Sequence, residues 1–248
     1  MSAEQTVFLD FCYLTCYTFY GKRISARSDG AWDKRTNRAA CLLCSFLHLK
    51  KAGIWRKAEL NLEQRLYEAL QRNPIIAAVR DDEGLTQCLR TDIQTVFVLY
   101  GDICNIPEII RQIKDAGKIA IVHADLIGGL ATKEISVDFL RRSTQADGVI
   151  STRTNMVQRA KELNMIAILR VFLIDSMALD AALNAKNLKP DAIDILPGLM
   201  PSMLRKVRQL TGLPILTGGL ITEKKEVMQA LEAGALAISS TAPAVWRM

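Results

Sequence analysis

The chain has 248 residues and is 50% hydrophobic, enough for one large α/β domain or two small ones with a substantial core. Its formal charge of +6 is unevenly placed: residues 1–73 hold 12 Lys and Arg against 7 Asp and Glu, and the rest hold 20 against 19, so the C-terminal body alone announces no polyanion partner. Four of the six cysteines (Cys12, Cys16, Cys41, Cys44) crowd the first stretch and Cys88 and Cys104 stand alone, which excludes a disulfide framework; with no apolar run approaching a membrane span, the expected setting is a reduced cytoplasm with no membrane contact.

Residues 1–56 mix aromatics, cysteine and isolated cations without a sustained period of 2 or 3.6. The apolar run at 7–20 contains Asp10 and lacks the basic segment and cleavage site of a signal peptide. Cys41, Cys44 and His48 have zinc-like spacing that Cys12 and Cys16 could complete. The pair sits inside an apolar run, however, and no metal is expected. The stretch reads as an irregular extension, either disordered or upstream sequence read in frame from a start set too early.

Residues 57–73 read as a helix. Leu62, Leu66 and Leu70, with Tyr67 and Ala69, form one apolar face. Asn61 is the expected N-cap, with Gln64 three residues on as in a capping box, and Asn73-Pro74 ends the helix. This helix is expected to plug the bottom of the domain that follows.

From 74 to 248 strand and helix patterns alternate. The expected strands are 75–79, 95–100, 119–124, 148–152, 165–172, 192–196, 214–216 and 236–239, with helices near 83–90, 107–116, 133–142, 155–163, 176–186, 200–210 and 223–232. Near-continuous apolar runs suit parallel strands covered by helices. The pattern predicts an α/β fold, a compact (β/α)8 TIM-like barrel. An open doubly wound sheet is the alternative, weakened because no G-x-G-x-x-G follows the first strand.

The stretch Pro214–Thr241 concentrates the polar signal. Thr217-Gly218-Gly219 follows the seventh strand, and Ser239-Ser240-Thr241 ends the eighth. In barrels of this kind the loops after strands seven and eight bind phosphate through backbone N–H groups. An ordinary glycine-rich turn is the bland alternative. At the other strand ends stand His123 and Asp125, Ser151 and Arg153, Arg170, and Asp194. Such charges among apolar strands are either ligand contacts or internal Arg–Asp bridges. Phosphate-cradling amides, cations and hydroxyl-accepting carboxylates together suit a small phosphorylated polyol or sugar.

The segments HADLIGGL (123–130), GVISTR (148–153), RVFLIDSMAL (170–179), DILPGLMPSML (194–204) and TGGLITEKKEVMQALEAGALAISST (217–241) resemble, in order, the glycerol-3-phosphate-responsive antiterminator family of bacterial glycerol uptake operon regulators. The resemblance covers about residues 60–248. It implies a non-enzymatic transcription antiterminator with no cofactor. Such a regulator binds glycerol 3-phosphate as effector and the leader mRNA of glycerol-metabolism genes, preventing termination. Carried onto this chain it would set the phosphate on Gly198, Gly218, Gly219, Ser239 and Ser240, and the strand-end positions place the polar contacts on His123, Asp125, Ser151, Arg153, Arg170 and Asp194. One departure is Asp194, where a Glu is expected.

No RNA-binding motif is present, and the basic clusters Arg141-Arg142, Arg205-Lys206 with Arg208, and Lys224-Lys225 are the candidate RNA contacts. A homo-oligomer would align such weak patches. The competing reading is a barrel isomerase, aldolase or synthase with His123 and Asp125 as acid and base. Against it, the strand ends lack a lysine, and Lys118 stands at a strand's start. Ligand control is expected to run through ordering of 217–222 and 239–245 and docking of Trp246.

Overall fold

The computed structural model describes residues 61–248. The cysteines and histidine of the zinc-like pattern and the expected irregular stretch 1–56 lie outside these residues. The elements run α1 (Leu62–Arg72), β1 (Ile75–Val79), α2 (Asp82–Leu89), β2 (Thr95–Val98), α3 (Ile106–Asp115), β3 (Ile119–His123), α4 (Glu134–Ser143), β4 (Gly148–Ser151), α5 (Thr154–Glu162), β5 (Ile166–Phe172), α6 (Ser176–Leu188), β6 (Ala192–Leu196), α7 (Pro201–Thr211), β7 (Ile215–Gly218), α8 (Lys224–Glu232) and β8 (Ala237–Ser240). All eight strands pair in parallel, and β1 with β8 closes the barrel. The open sheet is thereby excluded, and the expected (β/α)8 barrel is the fold.

Alternation along the strands divides the buried residues into two layers. Val79, Val98, Val122 and Val149 face the helices. Ile76, Phe97, Ile121, Ile150, Ile168 and Leu216 fill the barrel interior, and Leu66, Ala69 and Leu70 of α1 belong to that inner cluster. The helix therefore plugs the barrel, as its apolar periodicity requires. Tyr67 departs from the expected face and is 44% exposed, because one residue on from Leu66 is a turn of about 100° around the helix. The cap of α1 also differs: the Asn61 side chain accepts from the Glu63 N–H, the second helical amide. A full capping box instead starts α8, where Glu223 and Glu226 satisfy each other's amides.

At the end opposite the strand C-termini, one clamp occurs twice. Lys114 of α3 pairs with Asp147, just before β4, at 2.6 Å, and Asp147 also accepts from the Ala120 N–H of β3 at 2.8 Å. Lys161 of α5 pairs with Asp191, just before β6, at 3.1 Å, and Asp191 accepts from the Ala167 N–H of β5 at 2.8 Å. Each carboxylate locks two successive strands and the helix before them. Lys118 lies at this same end, its ammonium donating to the Thr91 and Ile93 carbonyls at 2.7 and 2.6 Å.

Candidate functional site

Polar residues stand on the inward face of β3, β5, β6 and β8 near the strand C-termini: His123, Arg170, Asp194 and Ser239. The β5–β6 register sets Arg170 beside Asp194. Both the Nε and Nη2 of Arg170 approach the same oxygen, Asp194 Oδ2, at 2.8 Å. The carboxylate is fully buried and its Oδ1 has no hydrogen-bond partner. His123, at the end of β3, is likewise buried with an unpartnered Nδ1. The third such atom among the described residues, Thr95 Oγ1, starts β2 at the plugged end. Burial and the nearby Arg170 guanidinium hold the His123 imidazole down at about 4 against the pull of Asp125, so the ring is neutral at pH 7. Burial pushes the Asp194 carboxyl up, and the Arg170 guanidinium opposes that rise.

Asp125 and Ser151 do not join this set. Asp125 lies in a short 3-10 turn after β3 and is tied to the end of β4. Its Oδ1 accepts from the Ser151 hydroxyl at 2.7 Å, and its Oδ2 accepts from the Thr152 N–H and hydroxyl at 2.7 and 2.9 Å. Burial works against ionisation, but these three donors outweigh it and hold the carboxyl below its usual range. His123 Nδ1 is 4.0 Å away, beyond hydrogen-bond reach. Ser151 has the helix-facing parity of Val149, so its hydroxyl serves the loop and also accepts the Arg153 N–H at 3.0 Å. Arg153 is exposed as the N-cap of α5.

The β7 and β8 loops meet closely. A Cβ at Gly218 would stand 2.1 Å from Ser239 Oγ and 2.7 Å from the Ser239 carbonyl oxygen. Gly219 takes φ +74° and Leu220 φ +63°. The N–H groups of Gly219 and Leu220 donate to no backbone group among the described residues. Two expected phosphate contacts are engaged in holding the loops together. The Gly198 N–H donates to the Gly219 carbonyl at 3.3 Å. The Ser240 hydroxyl, facing away from the interior, donates to the Ile221 carbonyl at 2.9 Å and accepts the Ala242 N–H at 3.1 Å. Trp246 is seated in the body of the protein. It is buried, and its indole N–H donates to the Ser240 carbonyl at 2.7 Å. This bond anchors the C-terminal turn against the end of β8.

The basic clusters are exposed and scattered: Arg141 and Arg142 end α4, Arg205, Lys206 and Arg208 lie on α7, and Lys224 and Lys225 open α8. Arg208 donates to the Gly234 carbonyl and so secures the turn after α8. One mouth residue escaped the sequence reading. Ile76 and Ala78 face the interior, and the same alternation carries Arg80 to the mouth. Its acidic neighbours are taken up elsewhere, Asp81 by the Gly84 N–H at 2.7 Å and Asp82 by the Tyr100 hydroxyl at 2.7 Å. Parity counted onward from the first strand was the available signal.

The molecule is thus a plugged (β/α)8 barrel whose mouth combines buried, incompletely paired polar atoms with a glycine-lined loop. A family profile described as glycerol-3-phosphate responsive antiterminator matches residues 75–246, and the chain belongs to that family. It is 39% identical over 186 residues to the uncharacterised protein YgcP of Escherichia coli (strain K12), covering 74% of this chain and 96% of that protein. The glycerol uptake operon antiterminator regulatory protein of Listeria monocytogenes superimposes with a TM-score of 0.69 at 31% identity, over 71% of this chain and 95% of that one. A glycerol uptake operon antiterminator-related protein of Thermotoga maritima gives 0.63 at 30% identity, over 70% and 98%. Aldolases built on the same barrel, at 12% and 18% identity, share the fold alone. Among the described residues no helix is long and apolar enough to cross a membrane.

Proposed function

We propose that this protein binds glycerol 3-phosphate at the barrel mouth and, in that state, binds the leader mRNA of glycerol-metabolism genes in the cytoplasm and prevents termination. The observation that carries the ligand reading is the pair of buried unpartnered atoms, Asp194 Oδ1 and His123 Nδ1. A buried carboxylate oxygen is a costly acceptor to leave unpaired, and a polyol hydroxyl satisfies it while a neutral imidazole nitrogen takes a second one. The phosphate would lie on the Gly219 and Leu220 amides beside Ser239, where a left-handed glycine lets the backbone approach an anion.

A regulator rather than an enzyme is supported by the state of the acid–base candidates. Asp125 is occupied by Ser151 and Thr152, and Lys118 is bonded to carbonyls at the plugged end. The effector is the only small molecule this reading requires. Calorimetric titration with glycerol 3-phosphate, glycerol and inorganic phosphate tests the site: the phosphorylated polyol should bind far more tightly than either part. RNA binding with and without the effector, at two salt concentrations, tests the output. Binding that tightens with effector and weakens with salt is expected; turnover of a triose or pentose phosphate would replace this reading with the enzyme one.

A further inference from the structure

We propose that the RNA surface is a band of unopposed cations running around the outside of the barrel from α4 to α7. The inference rests on the RNA-binding reading above and assigns it a place. Its members are Arg141 and Arg142 at the end of α4, Lys186 and Lys189 at the end of α6, and Arg205 and Lys206 on α7, all exposed and none in an ion pair among the described residues. The two lysines of α6, unremarkable in the sequence, bridge two clusters that the sequence leaves apart.

Basic residues at helix C-termini are common because they oppose the helix dipole, so position alone does not mark a site. Two further facts do. First, the carboxylates of the same arc are already neutralised by other cations. Arg159 holds Asp138 and Glu162 at 2.8 Å each, Lys161 holds Asp191, and Lys114 holds Asp147. The remaining exposed acids of these helices, Glu134, Asp175 and Asp180, stand at the N-terminus or in the N-terminal half of α4 and α6, toward the mouth. At the C-terminal ends of α4 and α6 the named cations are left to set the field. Second, Lys189 caps α6 in the left-handed conformation, φ +51°. Glycine or asparagine occupies that position without strain and lysine does not. Lysine at that position therefore carries a conformational cost.

α4 packs against α5 and α6 against α7, and each such packed step is about 8–10 Å, so the band is long enough to follow several phosphates of an RNA. Arg141, Arg142, Lys186 and Lys189 lie toward the plugged end and Arg205 and Lys206 at mid-helix, whereas Lys224 and Lys225 open α8 at the mouth. Effector and RNA therefore occupy separate surfaces and do not compete.

The test uses the full chain, a labelled leader RNA of its glycerol genes and glycerol 3-phosphate. Lys186→Gln with Lys189→Asn removes two charges while suiting the left-handed position, and Arg141→Gln with Arg142→Gln removes two more on another helix. Each pair is expected to weaken RNA binding about tenfold or more and to lower the salt slope by roughly one per removed cation, with effector affinity unchanged. Arg90→Gln, on the far arc, should leave RNA binding as it was. RNA bound undiminished by both paired variants would overturn the placement while leaving the RNA reading intact. No RNA bound by the unaltered chain, with effector still bound, would overturn both. Polyglutamate competing as well as RNA would reassign the band to an acidic protein and overturn the inference.

Discussion

Arg170 spends two of its donors on one oxygen of Asp194 and leaves the other oxygen, buried, without a partner. The register of β5 on β6 produces this arrangement, since it sets the two residues side by side facing inward. Removing either partner strands a buried charge. Asp194→Ala is expected to destabilise the fold by about 3–5 kcal/mol, and Arg170→Ala similarly. The double variant should cost much less than the sum, a coupling read from urea unfolding of the four proteins. Additive losses would show that the pair does not act as a unit.

His123 gives stability a pH dependence of defined sign. Its imidazole is held at about 4 in the folded state, below the ordinary 6.5. The unfolded chain therefore binds the proton more readily. The contribution is fully present above about pH 6.5 and is lost as pH falls toward 4, by roughly 3 kcal/mol in all. Urea midpoints at pH 7, 5.5 and 4.5 should fall along this course, and His123→Gln should flatten it in that window. Carboxylates held low, such as Asp125, act at more acid pH, below their ordinary range.

Much of the barrel was legible because each strand is an apolar run with its own turn signals, and α1 carries its plug face in Leu66 and Leu70. The glycine loop was legible for a steric reason: few residues other than glycine accept the φ of position 219. Long-range partners were not. That Asp125 serves Ser151 and Thr152 depends on how β3 lies against β4, and no spacing encodes that geometry. Its place at a strand end points Ser151 to the ligand, whereas its parity turns it toward the helices. Arg80 could have been found, because the alternation of IIAAV needs only one more step.

Gly218→Ala tests the contact between the last two strands. The added methyl would meet both the hydroxyl and the carbonyl oxygen of Ser239. Overpacking of this kind costs about 1–3 kcal/mol, and the β7 loop must shift to relieve it. Loss of effector binding is expected together with a lower unfolding midpoint. Ser239→Ala should not rescue the variant, because the carbonyl remains. Full rescue would show that the hydroxyl alone makes the fit tight.

Arg80 is expected to discriminate between the two halves of the proposed effector. It follows β1, the strand that pairs with β8, where Ile76 is level with Ser239. It therefore stands at the mouth on the phosphate-loop side, and its acidic neighbours are occupied by Gly84 and Tyr100. A guanidinium hydrogen-bonded to a phosphate contributes about 1.5–3 kcal/mol, or roughly 10- to 100-fold in affinity. Arg80→Ala should thus weaken binding of glycerol 3-phosphate by that factor while leaving the weak binding of glycerol unchanged. Arg80→Lys should recover part of the loss, since an ammonium supplies the charge without the bidentate fork. Calorimetry with both ligands distinguishes the outcomes: an equal loss for glycerol would place Arg80 against the polyol, and no loss for either would remove it from the site.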